Sequence, residues 1–462
     1  MDHVELRGGA YADSVTLLQV SRRVQDLAGV VTAQVAMATP LNLEVLERMG
    51  FEIPAEANVN DLVVAVRLED PDALDGVRAE VDRALTERRP SAGQSTEAPP
   101  RTTASALRRA PGSLVIVSVP GASAAVEAMD ALESGSDVLV FSDHVPLDQE
   151  VALKRYAAAR GLLVMGPDCG TAVVDGIGLG FANVVAPGPV GIVAASGTGC
   201  QQMLALLDHA GVGVSAAYGV GGRDLSAAVG GLSTRTALAR LDADDATELA
   251  VLVSKPPDAS VAADLTSYAE GLATPFATAL LGTGRPDLTA ATEEILRRLG
   301  HDVPTWPVHG RAASATGTGT RLQGLFVGGT LKEEAAVIVA EAGADAELVD
   351  FGDDDYTAGR AHPMIDPSLR MEHLERVAAD PDTAVILLDV VLGHGAEPDP
   401  AAALAPVLSA LRQPVVVTVV GTVHDPQGLG RQVDALVAAG AEVHLSNAGA
   451  TRRALDLLGG VG

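Results

Sequence analysis

A chain of 462 residues, 47% hydrophobic and 20% charged, has the composition of a globular protein and the length for three or four compact units, each with its own core. Lys and Arg total 32 against 60 Asp and Glu; the formal charge of −28 repels the phosphates of nucleic acids and of anionic membranes, so neither is an expected partner. Two cysteines cannot build a disulfide framework, the start MDHVELRGGAY lacks a basic segment followed by an apolar run, and no apolar stretch reaches the about 18 residues of a membrane span, so a reducing, cytoplasmic location is expected.

Residues 3 to 86 read as strand, helix, strand, helix, strand, helix, with apolar residues at helical spacing in SVTLLQVSRRVQDL and PDALDGVRAEVDRAL; the pattern is that of a small α+β, ferredoxin-like domain over 1–86. Residues 87–112, RRPSAGQSTEAPPRTTASALRRAPG with its flanks, are rich in Pro, Ser, Thr, Arg and Gly and read as a flexible linker. From 113 to 187, LVIVSVPG, DVLVFSD and LLVMGPDCG alternate with amphipathic helices, a β-α-β-α-β order that demands a parallel sheet with ligands at the strand C-termini. A second α/β unit spans 188–308 and a third 309–462, each with the rhythm strand, glycine turn, helix. Because only 3% of the residues are aromatic, Ala, Val and Leu must fill these cores, as suits helices packed on parallel sheets.

The turn in GIVAASGTGCQQMLALL carries the clearest chemistry. Its strand runs into Ser196, Gly197, Thr198 and Gly199 and then into a helix, so free amide N–H groups and the positive helix end point at whatever lies above. Gly197 and Gly199 let the backbone approach an anion, and two hydroxyls add donors; a plain N-capped helix fits the spacing equally. No Lys-Ser/Thr pair follows, which excludes a P-loop. Gly328, Gly329 and Thr330, between strand and helix, form a similar turn in the third unit, and Gly393 to Gly395 and GTVHDPQ at 421–427 are further strand-end turns. In FGDDDYTAGRAHPMID, Arg360, His362 and Asp366 suit a subunit contact or a loop closing over a ligand; the three consecutive Asp lack metal-ligand spacing, and no metal is expected.

MGPDCGTA at 165–172, GPVGIVAASGTGCQQ at 188–202 and YGVGGRDLS at 218–226 follow one another in an order and spacing that resembles the succinyl-CoA synthetase superfamily of NDP-forming acyl-CoA synthetases. The α+β leader, the linker and HPMID at 362–366 make the chain similar to the FdrA family within it, from near its start to its end. The resemblance implies a Rossmann-like CoA-binding-type domain over 113–187, then two flavodoxin-like, succinyl-CoA synthetase-type ligase domains. It places Gly166, Pro167, Asp168, Cys169 and Gly170 as the turn that closes the CoA domain, with Asp for the family's Asn and the second Pro missing. Ser196 to Gly199 then begin the helix whose dipole stabilises a phosphohistidine, and Gly221 and Gly222, in the loop Tyr218 to Asp224, line the same cavity. Arg223 offers positive charge to a carboxylate or phosphate, or else pairs with Asp224 at the surface.

The departures weigh as much. No histidine lies between His209 and His301, where the family's phosphorylated one follows the strand PFATALLGTGRPDLTAA; His394 is the remaining candidate. A nucleotide-binding clamp is not recognisable. The resemblance therefore leaves three readings: an acyl-CoA synthetase-like protein binding CoA or a phosphorylated ligand, a subunit of an oxamate carbamoyltransferase complex in allantoin catabolism with YlbE- and YlbF-type partners and phosphate or carbamoyl phosphate as ligand, or a non-catalytic scaffold with a degenerate ligase fold. A homo- or hetero-oligomer is expected.

Overall fold

The computed structural model describes residues 1–459 except 9, 11, 13, 26, 88–99, 312–318 and 358–361. Residues 1–102 form one unit and the chain from Thr103 onward a second.

In the first unit, β1 (Asp2–Arg7), α1 (Ser14–Gln25), β2 (Val30–Met37), α2 (Pro40–Arg48), β3 (Leu62–Leu68) and α3 (Leu74–Glu87) follow the expected order. β3 lies between β1 and β2, antiparallel to both, the arrangement of the first three strands of a ferredoxin-like module. LVVAVRL is apolar on both faces because both are covered: Leu62, Val64 and Val66 pack on Leu17, Val20, Val77 and Val81, while Val63 and Ala65 pack on Leu46 and Phe51.

The second unit opens with α4 (Thr103–Leu107), inside the expected linker. Glu127 and Asp130 pin it, accepting hydrogen bonds from the Thr103 hydroxyl and the Ala104 amide. Five small residues with one buried side chain, Leu107, leave too little periodicity to be seen in sequence. Next come β4 (Val115–Val117), α5 (Gly121–Glu133), β5 (Val138–Val140), α6 (Leu147–Ala158) and β6 (Val164–Met165), a parallel sheet in the order 4-5-6.

The hairpin β7 (Thr171–Val174) and β8 (Ile177–Gly180) departs from the expected 113–187 domain, because Val173 pairs with Ala217 in the following sheet. Its turn, Asp175-Gly176, has both residues at positive φ, which is what a two-residue hairpin requires. That sheet contains β9 (Pro187–Ala195), β10 (Val214–Gly219), β11 (Leu249–Ser254) and β12 (Phe276–Leu280), with α7 (Gly197–His209), α8 (Leu232–Asp242), α9 (Ala259–Ala269) and α10 (Leu288–Arg298) between and after them; its order is 12-11-9-10-7-8.

The last sheet joins β13 (Val308–His309), β14 (Arg321–Phe326), β15 (Ala346–Asp350), β16 (Thr383–Val391), β17 (Val415–Val420) and β18 (Glu442–His444) in the order 13-18-17-16-14-15. Its helices are α11 (Gly329–Ala342), α12 (Asp354–Thr357), α13 (Ser368–Ala379), α14 (Pro400–Leu408), α15 (Leu429–Ala438) and α16 (Asn447–Gly459). Taking β14 as first, the parallel strands run 2-1-3-4-5, the flavodoxin order, and β10, β9, β11, β12 repeat its first four places. The two sheets are locked by buried amides: Gln202 accepts from the Asn447 amide at 3.1 Å and donates to Leu445 O at 3.0 Å, while Asp425 accepts from Asn183 Nδ2 and the Val184 amide, both at 2.8 Å.

A buried ion cluster ties α6 to the loop after β10. Lys154 Nζ lies 2.8 Å from Glu150 Oε1, Asp224 Oδ1 and Val220 O, with none of the three charged side chains more than 1% exposed, and Arg223 closes on Glu150 Oε2 at 2.8 Å. Removing the shared cation strands two carboxylates in apolar surroundings. Lys154→Met is therefore expected to cost about 3–5 kcal/mol of unfolding free energy in urea titrations; a midpoint equal to the parent's would refute the role given to the cluster.

Candidate functional site

In α/β sheets of this order the ligand crevice lies at the carboxyl ends of the strands where the order reverses, here β9 and β11 in one sheet and β14 and β16 in the other. The structure brings these two crevices together. Ser196, extended at φ −166°, caps α7 by accepting from the Gly199 amide at 3.0 Å, and the same hydroxyl lies 2.6 Å from Thr330 Oγ1 in the first turn of α11. Thr198 Oγ1 accepts from the Thr330 amide at 3.4 Å. A Cβ on Gly199 would meet Thr330 Cγ2 at 3.0 Å, and one on Gly328 would meet Thr198 Cβ and Cγ2 at the same distance, so both glycines are needed for the approach. Neither helix carries an acidic residue in its first turn. Ser196, Gly197, Thr198 and Gly199 are thus assembled with Gly328, Gly329 and Thr330, and Gly197 is exposed to solvent.

Charged groups from neighbouring strand ends complete this pocket. Ser254 pairs with Ala195, so Lys255 emerges from β11 beside Ser196. A Cβ on Gly329 would meet Lys255 Nζ at 2.8 Å and overlap Asp350 Oδ2. Burial raises Asp350 above the usual carboxylate range, opposed by the Gly352 amide and by Lys255 and Lys332. Deeper in, Asp389 accepts from the amides of Val327 at 2.8 Å and Gly328 at 2.9 Å and faces Arg370 Nη1 at 3.1 Å; burial still lifts it to about 6. His362 sets Nε2 where a Cβ on Gly352 would meet it at 2.8 Å, and its Nδ1 accepts from the Met364 amide at 3.2 Å. Nδ1 as acceptor leaves the proton on Nε2. Burial pushes this imidazole down to about 4, against the pull of Asp143, so it is neutral near pH 7.

The other expected residues have different surroundings. Gly221, at φ +87°, packs on Pro167 O, and Gly222 has nothing within 4 Å of a built Cβ. The Gly166 amide donates to Gly219 O at 3.0 Å, Asp168 stands at φ +57°, and a Cβ on Gly170 would meet the Phe181 ring at 3.4 Å. Cys169 is buried under Gly219 with its thiol pushed up to about 12 by burial, as is that of Cys200. Arg223 is held by Glu150 and Val145 O, and Asp224 pairs with Lys154 instead. His394 is exposed beside Gly178, Asp366 caps Ser368, and Arg360 lies outside the described residues. Among the described residues no group of three or more His, Cys, Asp or Glu has metal-binding geometry.

Lys255, Asp350, Asp389 and Thr171 escaped the sequence reading. Lys255 directly follows the apolar run LAVLVS and Asp350 ends AELVD, so both were visible as strand ends; only the sheet order tells which ends meet.

The carboxyl ends of β4, β5 and β6, where the resemblance places CoA, carry few cations. Residues 113–187 contain three Lys and Arg side chains and one histidine: Lys154 is spent in the ion cluster, Arg160 stacks on Tyr156, Arg155 lies in the last turn of α6, at the opposite end of the sheet, and His144 lies 3.1 Å from Asp143. Asp143 and Asp168 stand at the strand ends instead, and the Asp143 carbonyl closes over Gly121 at the start of α5.

Residues 325–457 match the CoA-ligase family, and residues 1–101 the family described as AllF, heavy metal-associated domain. Both cysteines of the chain lie outside that N-terminal match. With the flavodoxin-ordered sheets, these matches define an α/β protein of the acyl-CoA synthetase superfamily. The chain is 36% identical over 440 residues to Uncharacterized protein YahF of Escherichia coli K12, covering 86% of this chain and 85% of YahF. It belongs to the FdrA-like family of that superfamily. The ADP-forming succinate–CoA ligase α subunit of Methanothermobacter thermautotrophicus is 30% identical over 143 residues, 30% of this chain; the chain spans 47% of that subunit's length. The dinucleotide-forming acetyl-coenzyme A synthetase 1 of Ca. Korarchaeum cryptofilum aligns with 75% of this chain and 83% of its own, at 16% identity and a TM-score of 0.30. No helix of the described residues is long and apolar enough to cross a membrane.

Two expectations follow. Gly329→Ala must displace Asp350 and Lys255 and is expected to cost about 1 kcal/mol in urea unfolding, whereas Gly197→Ala, whose Cβ meets only Thr171 Oγ1 at 3.8 Å, should be near neutral; equal stabilities would contradict the crowding at Gly329. The depressed pKa of His362 means that the unfolded chain binds its proton first, so the stability this residue confers is present above pH 6.5 and lost as pH falls toward 4. Between pH 7 and pH 5 the parent should lose up to about 2 kcal/mol more than His362→Gln, and parallel pH profiles would sink the assignment.

Proposed function

We propose that the junction of α7 and α11 holds phosphate or the phosphoryl end of an acyl or carbamoyl phosphate, and that the protein serves acyl-type transfer to or from phosphate with no covalent histidine carrier. One observation carries this reading: the N-termini of two helices, one from each ligase-type sheet and neither with an acidic residue in its first turn, meet over glycine backbone at paired sheet switch points. The absence of any histidine between His209 and His301 favours a free ligand over a phosphoenzyme. The charge at the small sheet favours carbamoyl chemistry over CoA chemistry.

In the carbamoyl version the amide nitrogen of oxamate attacks the carbonyl carbon of carbamoyl phosphate, the C–O bond to phosphate breaks, and the nitrogen's proton ends on the departing phosphate. Helix N–H groups stabilise that leaving group as its charge grows, and neutral His362, with its Nε2–H, is a donor beside the same pocket. YlbE- and YlbF-type proteins are the partners we assign to the remaining substrate contacts.

The test is turnover by the purified chain, alone and with those partners. Carbamoyl phosphate plus oxamate should release phosphate in the mixture, and acyl-CoA plus phosphate should release no CoA. Release of CoA from acyl-CoA would restore the synthetase reading, and a mixture inert in both assays that binds no phosphate would leave the scaffold.

A further inference from the structure

We propose that Lys255 is the charge partner of the bound phosphoryl group and that the Thr171 hydroxyl is a second side-chain donor to it; the inference rests on the phosphate reading above and names its ligand residues. Among the described residues the Lys255 ammonium makes no hydrogen bond or salt bridge, although it stands beside Gly329 at the start of α11 and leaves β11 next to Ser196 at the start of α7. Asp350 Oδ2 stands at the same glycine and interacts with Lys255 electrostatically without forming a salt bridge, while Asp350 Oδ1 accepts from the Gly352 amide at 2.9 Å. An ammonium without a hydrogen bond or salt bridge among the described residues, at the meeting of two helix starts whose first turns carry no acidic residue, can turn its charge to a ligand held there.

Thr171 is an independent observation. It is 2% exposed, its Oγ1 has no hydrogen-bond partner among the described residues, and that oxygen lies 3.8 Å from where a Cβ on Gly197 would sit. A buried hydroxyl without a partner is costly. This one faces the exposed first residue of α7, where an oxygen of a bound anion would satisfy it. Backbone amides of two helices, one hydroxyl and one ammonium form a donor set for a tetrahedral dianion. A planar carboxylate of single charge uses fewer of these donors. The phosphoryl class covers inorganic phosphate and carbamoyl phosphate alike.

The experiment is calorimetric titration of the full chain with inorganic phosphate and, separately, carbamoyl phosphate, with acetate as the planar monoanion. The parent should bind both phosphates and bind acetate more weakly. Lys255→Met should weaken phosphate binding roughly ten- to a hundred-fold, as expected for a lost charge-assisted contact, with Lys255→Arg recovering most of it. Thr171→Val should weaken phosphate several-fold while its thermal midpoint stays level or rises, a combination that a purely structural threonine would not give. Should the parent bind phosphate and Lys255→Met bind it equally well, Lys255 has no such role and the anion reading stands. If the parent binds neither phosphate, the reading of the pocket and this inference fall together.

Discussion

The second unit depends on two helix N-termini held against each other, with Ser196 Oγ 2.6 Å from Thr330 Oγ1. Each helix start carries the equivalent of about half a positive charge, so bringing two of them together is unfavourable unless something negative lies between or behind them. Asp389 supplies part of that from behind α11, where its carboxylate takes the Val327 and Gly328 amides and is itself held by Arg370. The cap of α7 is a neutral serine, and its first turn carries no acidic residue. The start of α7 is open to solvent at Gly197, where the proposed ligand would meet it.

The rest of the architecture keeps that junction in place against its own repulsion. α7 is buried along most of its length, including two glutamines at positions that would ordinarily be apolar. Gln201 donates to Phe181 O at 2.6 Å, and Gln202 exchanges hydrogen bonds with the chain at Leu445 and Asn447. Asn447 in turn donates to Leu331 O and to Glu334, whose carboxyl burial raises to about 7. Buried amides of this kind cost heavily when unpaired and so admit one register between the two sheets. The same register aligns Gly199 with Thr330 and Gly328 with Thr198, within the tolerance that only glycine allows.

Much of this was legible from the sequence. Apolar strand, glycine turn and helix announced both Ser196 to Gly199 and Gly328 to Thr330, because a helix start needs a cap and close approach needs a missing Cβ. What sequence spacing does not encode is which turn faces which. Nothing local in SKPP says that Lys255 will stand beside Gly329, or in MGPDCGTA that Thr171 will end facing Gly197, since both contacts are set by sheet order. Arg223 shows the converse: its neighbour Asp224 suggested a surface pair, and the fold gives Asp224 to buried Lys154 and Arg223 to Glu150. The Asp175-Gly176 dipeptide is a hairpin signal that the 113–187 domain reading passed over, and the strand the hairpin pairs with lies some forty residues further on, at Ala217.

In the proposed reading the chemistry turns on how an acidic protein would bind an anion. At a net charge of −28 the long-range field opposes approach of a phosphate, so capture must come from short-range groups whose positions are fixed before the ligand arrives. Helix amides meet that condition because their orientation is paid for by folding. A covalent histidine would hold a phosphoryl group against the outer field by a bond. Here the segment between His209 and His301 offers none, and an ammonium at the end of β11 stands at the same crevice. In the proposed reading, a charge in place of a bond makes the phosphoryl group a ligand that enters and leaves intact, which suits a reaction in which phosphate is itself substrate or leaving group.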